Sequence, residues 1–195
     1  MKGMRKSIVY ILLMTLIVSC TQGFSPAERE IIGSGEGDVM RVLSIADEQD
    51  STLLRQTSQP LTAKMVGQEE FSTLCRRMLL TVQNPGNEGV GIAAPQVGIL
   101  RRLVAVQRFD KEGEPFEFFI NPEIVARDEE LVAGGEGCLS VPELYGDVER
   151  SQGITLRYRD AEYKLCEERV EGFTAVIFQH EIDHLDGKLF IDYLK

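Results

Sequence analysis

The apolar residues between about Glu69 and Val82 recur at the spacing of an amphipathic helix. They are Phe71, Leu74, Cys75, Met78, Leu79 and Val82. A stripe with this spacing predicts a helix whose apolar face packs against a core. The sequence NPGN at 84–87 would end the helix, because proline and glycine both disfavour its continuation. Cys75 lies on the stripe, so we interpret it as a small buried hydrophobe rather than a reactive thiol.

A second helical stripe lies near the C-terminus and contains two polar residues. A helix beginning at Phe173 or Thr174 would place on one face the residues Phe173, Val176, Ile177, His180 and His184. Gly187 is well placed to end this helix. An imidazole on a buried face needs a polar partner. One shared metal ion would satisfy both rings, and hydrogen bonds within the core are the alternative.

Shorter runs rich in β-branched, aromatic and alternating apolar residues lie between the two helices. They predict strands at Leu103–Gln107, Glu117–Ile120, Ile154–Tyr158 and Tyr163–Val170. Turn-rich segments at 110–115 and 159–162 separate these runs. Short, close-set strands favour antiparallel pairing over βαβ units. Cys166 falls in the last run, and we assign it no role.

Charge and cysteine usage exclude two classes of protein. The 195 residues carry a formal net charge of −10, and lysine and arginine occur in short pairs rather than clusters. A nucleic-acid surface needs clustered cations, so no direct nucleic-acid partner is expected. The four cysteines show neither a disulfide framework nor a CxxC zinc pattern.

The first twenty residues predict a lipoprotein-type signal peptide. A basic start precedes an apolar run from Ile8 to Val18, which is too short to span a bilayer comfortably. The run closes on a lipobox-like sequence at Cys20, which would become the lipid-modified N-terminus of an envelope protein. Residues 21–39 are polar and contain glycine, which predicts a tether to a domain at 40–195. Met40 opens an alternative start, which would leave the protein in the cytoplasm.

The sequence HEIDH at 180–184 contains the only two histidines of the chain. On a helix, residues four apart lie on one face about one turn apart, so both rings can reach one metal ion. Glu181 lies between them, where a general base for a metal-activated water is wanted. This pattern indicates a metalloenzyme.

A catalytic metal site usually has three protein ligands and one open position. No third histidine exists, and downstream of His184 only Asp186 and Asp192 are available as donors. Cys138 in the glycine-rich sequence GGEGCLS is the best upstream candidate, because its glycines allow close backbone approach. A glycine-flanked cysteine also occurs in ordinary turns, so this signal gains weight only beside the histidine motif.

A third small-residue segment, GVGIAAPQ at 89–96, follows the first helix. It lacks both the GxGxxG spacing and the lysine of phosphate loops. Its small residues suit a backbone pressed against an active site, and the alternative for Gln96 is an ordinary turn amide.

These three segments, GVGIAAPQ, EGCLS at 136–140 and QHEIDHLDG at 179–187, together resemble the motifs of the peptide deformylase family. They occur in the family's order, and the resemblance extends over about 40–193. It implies an α+β fold, with antiparallel β-sheets packed around a central helix that carries the HExxH motif. It also implies a hydrolase that removes the formyl group from N-formylmethionine of newly made peptides and releases formate.

The resemblance also assigns roles to individual residues. Cys138, His180 and His184 would bind the metal, and Glu181 would act as the general base. The Gln96 side-chain amide and the Leu139 backbone N–H would stabilise the oxyanion.

The substrate would lie against another set of residues implied by the same family. Its main chain would be held by Gly91, and its methionine side chain by Val90, Phe173, Val176 and Ile177. These four apolar residues could equally belong to the core. The family typically uses Fe²⁺, with Zn²⁺, Ni²⁺ or Co²⁺ as alternatives. We expect a monomer that reaches a membrane only through a lipid on Cys20.

The chain departs from the family pattern at two places. Many deformylases have an arginine seven residues after the metal cysteine, where this chain has Tyr145, and many have a longer C-terminal helix. Two other functions remain open at this point. One is an HExxH metallopeptidase, which would not take a cysteine from a GCLS segment as its third ligand. The other is a non-catalytic lipoprotein, which would have no reason to retain Glu181, Cys138 and Gln96.

Overall fold

A computed structural model describes residues 23–34, 37–87 and 89–194. Five α-helices lie in this part of the chain: α1 (Pro26–Gly33), α2 (Glu48–Leu54), α3 (Ala63–Val66), α4 (Glu69–Val82) and α5 (Gly172–Leu185). Seven strands accompany them: β1 (Gly91–Ala93), β2 (Leu103–Gln107), β3 (Phe116–Arg127), β4 (Leu131–Cys138), β5 (Val141–Ser151), β6 (Gly153–Arg159) and β7 (Leu165–Glu171). Two 3₁₀ helices cover Ala94–Val97 and Phe190–Tyr193.

The strands form two antiparallel sheets. The larger has the order β1-β2-β3-β6-β7, so that β1 is one of its edges, and β4 and β5 form a separate hairpin. This confirms the expected antiparallel α+β architecture. The four predicted strands correspond to β2, β3, β6 and β7, with the last beginning at Leu165 rather than Tyr163.

The hairpin of β4 and β5 is absent from the sequence-based prediction. β4 reads LVAGGEGC and β5 reads VPELYGDVERS, so glycine, proline and charge interrupt the alternation that identifies a strand. The long ladder between the two strands, not side-chain preference, stabilises this hairpin.

Helix α5 lies at the centre of the molecule and packs on β1, β2 and β7. Its core-facing residues join a cluster with residues of β2, β3 and β6, and they are Ala175, Ile177, Phe178, Ile182 and Leu185. Of the predicted stripe, Ile177 therefore belongs to the core, and His184 is also buried. Phe173 is 56% exposed, so the expectation that this whole stripe is buried is wrong at its N-terminal end.

The expectation of a polar tether at 21–39 is wrong for residues 24–34. Helix α1 begins with a capping box between Ser25 and Glu28, and Phe24 and Ile32 are buried in the main apolar cluster. Arg77 of α4, only 5% exposed, donates to the carbonyls of residues 31 and 32. The local composition predicts a tether because it does not reveal the residues that bury this segment, which lie far away in the sequence.

The predicted signal segment, including Cys20, lies outside the described residues. Within the part of the chain that the structure describes, no helix is both long enough and apolar enough to cross a membrane.

Candidate active site

The end of β4 and one face of α5 bring three potential metal ligands together. The donor atoms of Cys138, His180 and His184 all lie within 4.8 Å of one another. Cys138 Sγ is 3.3 Å from His184 Nε2, and the two imidazole centroids are 5.0 Å apart. The helical spacing of the histidines and the glycines before the cysteine therefore produce the predicted convergence.

The chemistry of this donor set fits a divalent cation. Burial keeps the pKa of His184 well below its usual value, so the ring is neutral, as a metal ligand must be. Burial opposes protonation of His180 as well, but hydrogen bonds with Cys138 and Glu136 outweigh it and raise the pKa of His180 to about 10. The groups around His180 therefore stabilise positive charge at the centre, and a bound cation would replace the proton of the His180 ring. Sulfur with two imidazoles is a set that soft or borderline ions accept.

A buried ionic network holds His180 in place. Its Nδ1 lies 2.8 Å from Glu136 Oε2, which leaves Nε2 to face the other ligands. Arg150 of β5 pairs with Glu136 at 2.8 and 3.0 Å, and with Asp183 of α5 at 2.6 Å. Burial opposes ionisation of Glu136, but hydrogen bonds from His180 and Arg150 lower its pKa to about 2. A carboxylate behind a ligating histidine fixes the ring orientation.

Arg150 and Asp183 are not among the site residues predicted from the sequence. Asp183 follows His180 by three residues on a helix, which was a usable signal. No sequence spacing relates Arg150 to Glu136, because the contact between the two side chains depends on the register in which β4 and β5 pair.

Glu181 lines the site and is buried, with 4% of its surface exposed. An added Cβ at Gly91 would lie 2.5 Å from Glu181 Oε1, so only glycine leaves room for the carboxyl group. Glu181 Oε2 has no hydrogen-bond partner among the described residues. Burial raises the pKa of Glu181 to about 7, which suits a group that exchanges a proton near neutral pH.

Gln96 reaches the site from the 3₁₀ helix after β1. Its Oε1 accepts a hydrogen bond from the Ala93 N–H at 2.8 Å, which fixes the orientation of the amide. The Nε2 group then faces Cys138 Sγ at 3.6 Å and Ser140 Oγ at 3.4 Å. A donor is therefore held beside the metal ligands, and Leu139 lies on the wall of the same cavity.

The site opens into a cavity of about 300 Å³. All but two of the site residues predicted from the sequence line this cavity. The lining residues are Val90, Gly91, Gln96, Cys138, Leu139, Phe173, Val176, Ile177, His180 and Glu181. His184 lies behind the wall, and Cys20 lies outside the described residues. The wall also includes Tyr145 and Asn87, to which sequence analysis gave no lining role. Edge strand β1 and strand β4 flank the opening, so an extended peptide could pair with backbone on either side.

Comparisons with known proteins agree with this geometry. Residues 40–195 match the family model of polypeptide deformylase. A peptide deformylase of Afipia carboxidovorans is 41% identical over 157 residues, covering 80% of this chain and 86% of that protein. Peptide deformylase 2 of Xanthomonas axonopodis pv. citri is 41% identical over 155 residues, covering 80% of this chain and 88% of its own length.

Solved structures give the same result for the fold. A class I type b peptide deformylase from Acinetobacter baumannii, bound to Met-Ala-Ser, has a TM-score of 0.71 and 33% identity, covering 80% of this chain and 98% of that one. Peptide deformylase from Thermotoga maritima has a TM-score of 0.70 and 36% identity, with the same coverage of both chains. Because the family match spans 40–195 and therefore includes the metal donors, Glu181 and Gln96, we conclude that this chain belongs to the polypeptide deformylase family.

Proposed function

We propose that this protein is a metal-dependent hydrolase that removes the formyl group from N-formylmethionyl peptides and releases formate. The observation that carries the proposal is the convergence of Cys138, His180 and His184 beside Glu181 and Gln96, at a groove open to an extended peptide. The Acinetobacter baumannii relative was solved with Met-Ala-Ser, which has the composition of a deformylated peptide.

Cys138, His180 and His184 would hold one divalent cation, and we propose Fe²⁺, with Zn²⁺, Ni²⁺ or Co²⁺ as alternatives. When bound, such a cation lowers the pKa of water and polarises a carbonyl oxygen. Side chains and backbone groups of the chain itself would transfer the proton, donate to the oxyanion and hold the substrate.

Glu181 would take a proton from the attacking water and later deliver it to the departing amine. Its pKa of about 7 lets it do both near neutral pH, and its unpartnered Oε2 is free to accept that proton. The Gln96 Nε2 group and the Leu139 N–H would donate to the oxygen that becomes negative at the formyl carbon. Loss of one such donor typically lowers the rate by about 10²–10³.

The substrate backbone would pair with the groove at Gly91, where the absence of a side chain permits close approach. The methionine side chain would lie against Val90, Phe173, Val176 and Ile177, all of which line the cavity. An unbranched thioether fits an irregular apolar surface of this kind well.

The cellular compartment of the enzyme depends on whether the signal at 1–20 is used or translation starts at Met40. N-formylmethionyl chains emerge from ribosomes in the cytoplasm, so substrate supply favours the cytoplasmic alternative over an anchored enzyme. We retain the signal at 1–20 and lipidation of Cys20 as predictions, with 40–195 as the catalytic domain. Mass spectrometry of the native N-terminus decides between the two: a lipidated Cys20 would place the enzyme in the cell envelope.

The activity is tested by measuring formate release from formyl-Met-Ala-Ser with protein loaded anaerobically with iron. We expect turnover of the formylated peptide and no cleavage of unformylated peptide, which separates a deformylase from a metallopeptidase. Glu181→Ala should retain the metal and lose turnover by about 10² or more. Cys138→Ser should lose metal, measured by elemental analysis. Full turnover in Glu181→Ala, or none in the wild-type metal-loaded protein, would refute the proposal.

A further inference from the structure

We propose that Tyr145 and Asp147 form a subsite for a lysine or arginine side chain in the first two residues after formylmethionine. The proposal rests on the proposed function, because it concerns the same groove. It assigns a purpose to the position at which this chain departs from the family pattern.

The pairing of β4 with β5 places both side chains over glycines. Gly137 is the register partner of Tyr145, and Gly135 is the register partner of Asp147. Residues two apart on a strand point to the same face, so the ring and the carboxylate lie side by side. An added Cβ at Gly137 would meet Tyr145 Cε1 at 2.5 Å, so the ring lies directly on the glycine backbone. Asp147 Oδ1 is 3.8 Å from the corresponding position at Gly135.

This face of the hairpin borders the catalytic cavity. Gly135, Gly137 and Tyr145 all line the cavity that contains Cys138. Tyr145 is nevertheless 82% exposed, so the core takes up little of its aromatic surface. Its strand partner Gly137 immediately precedes Cys138, so this exposed aromatic ring is placed to contact what enters the groove.

The charges around the groove favour a cationic side chain. No lysine or arginine is among the described residues that line the cavity. Arg150, the nearest buried cation in the network, is already paired with Glu136 and Asp183. A tyrosine face attracts a cation and packs against its aliphatic stem, and the adjacent carboxylate adds a charge pair. An acidic side chain at the same place would meet repulsion from Asp147.

The experiment compares two peptide series, formyl-Met-X-Ser and formyl-Met-Ala-X, with lysine, alanine or glutamate at X. Formate release is measured at low ionic strength with metal-loaded enzyme. We expect kcat/KM to be about three- to tenfold higher for lysine than for glutamate in at least one series, and the ratio to fall with added salt. The difference should lie mainly in KM, because the subsite binds ground state and transition state alike.

Variants separate the contribution of the Tyr145 ring to this preference from that of the Asp147 charge. Tyr145→Ala and Asp147→Asn should each reduce the preference for lysine, whereas Tyr145→Phe should retain most of it because the aromatic face remains. Leu144→Ala is the matched control: this exposed residue precedes Tyr145 but does not line the cavity, so its lysine-to-glutamate ratio should equal that of the wild type.

Equal kcat/KM values for lysine and glutamate in both series would overturn the proposal, as would an unchanged ratio in both Tyr145→Ala and Asp147→Asn. If no formylated peptide releases formate, the proposed function fails instead. The subsite is then tested by calorimetric binding of Met-Lys-Ser against Met-Glu-Ser and of Met-Ala-Lys against Met-Ala-Glu, where equal affinities within both pairs refute it.

Discussion

At the scale of single residues, the site depends on the absence of a side chain at Gly91 as much as on the side chains that surround it. Gly91 lies in edge strand β1, and its lack of a side chain is what allows the Glu181 carboxyl group to face the metal ligands. The same absence exposes the backbone that would pair with a peptide. One glycine therefore serves the proposed general base and the proposed substrate at once.

Gly91→Ala should lower kcat by about 10², because the new methyl group would displace the Glu181 carboxyl and misplacement by about 1 Å has costs of that size. Metal content should stay at the wild-type level, since the three atoms nearest the added Cβ all belong to Glu181 rather than to a proposed ligand. Gly134→Ala is a suitable control, because nothing lies within 4 Å of its added Cβ. A Gly91→Ala enzyme with wild-type kcat would show that the position of Glu181 tolerates a shift.

The sequence predicts the proposed metal ligands better than the residues that hold them in place. Both histidines are on one helix, so a fixed spacing determines their geometry. Cys138 could be predicted because a ligand was missing and few donors remained. Arg150 could not, because its contact with Glu136 exists only in one register of a glycine-rich hairpin, and glycines specify register weakly.

At the scale of elements, α1 belongs to the folded unit. Its carboxylate Glu28 pairs with Arg101 at 2.5 and 3.0 Å, and both side chains are largely shielded from water. Arg77 donates to the C-terminal carbonyls of α1, which a helix end otherwise leaves without partners. These contacts join α1 to α4 and to the segment before β2.

A chain that begins at Met40 should therefore be less stable than one that begins at Gly23. It would lose Phe24 and Ile32 from the core, each worth about 1.5–3 kcal/mol, and would leave buried Arg77 without its carbonyl partners. Urea unfolding of proteins 23–195 and 40–195 measures the difference. Equal midpoints would mean that α1 adds nothing to the fold and would restore the interpretation of this segment as a tether.

The contribution of Glu28 should depend on pH. Burial opposes its ionisation, but hydrogen bonds from Arg101 and from the Ser25 N–H outweigh burial and hold the pKa of Glu28 below its usual 4.5. A depressed folded-state pKa stabilises the protein above the unfolded-state value, and the stabilisation is lost as pH falls through the folded-state value. Glu28→Gln should therefore lower the urea midpoint at pH 7 and lose this effect as the pH is lowered below about 4. Glu30→Gln, an exposed change on the same helix, is the control, and a pH-independent deficit in Glu28→Gln would exclude the charge explanation.

At the scale of the whole molecule, the β4–β5 hairpin, the central helix and the C-terminal segment meet at one buried cation. Arg150 of the hairpin contacts Glu136 on the neighbouring strand and Asp183 on α5, and its guanidinium lies 4.6 Å from the Tyr193 ring centroid in the C-terminal segment. Glu136 in turn orients His180. The hairpin that carries Cys138 and the helix that carries the histidines are thus held in register by the same ionic network.

Arg150→Met should accordingly damage both stability and metal binding. Removing Arg150 takes the guanidinium away from buried Asp183 and leaves Glu136 with His180 alone, and breaking a buried ionic network in this way typically costs about 3–5 kcal/mol. Arg157→Met is the matched control, because Arg157 pairs with Glu167 on an exposed face of β6 and β7, where a pair contributes about 1 kcal/mol or less. Urea unfolding and elemental analysis of both variants test the difference. If Arg150→Met retains wild-type stability and metal content while Arg157→Met does the same, the network is not what holds the two halves of the site together.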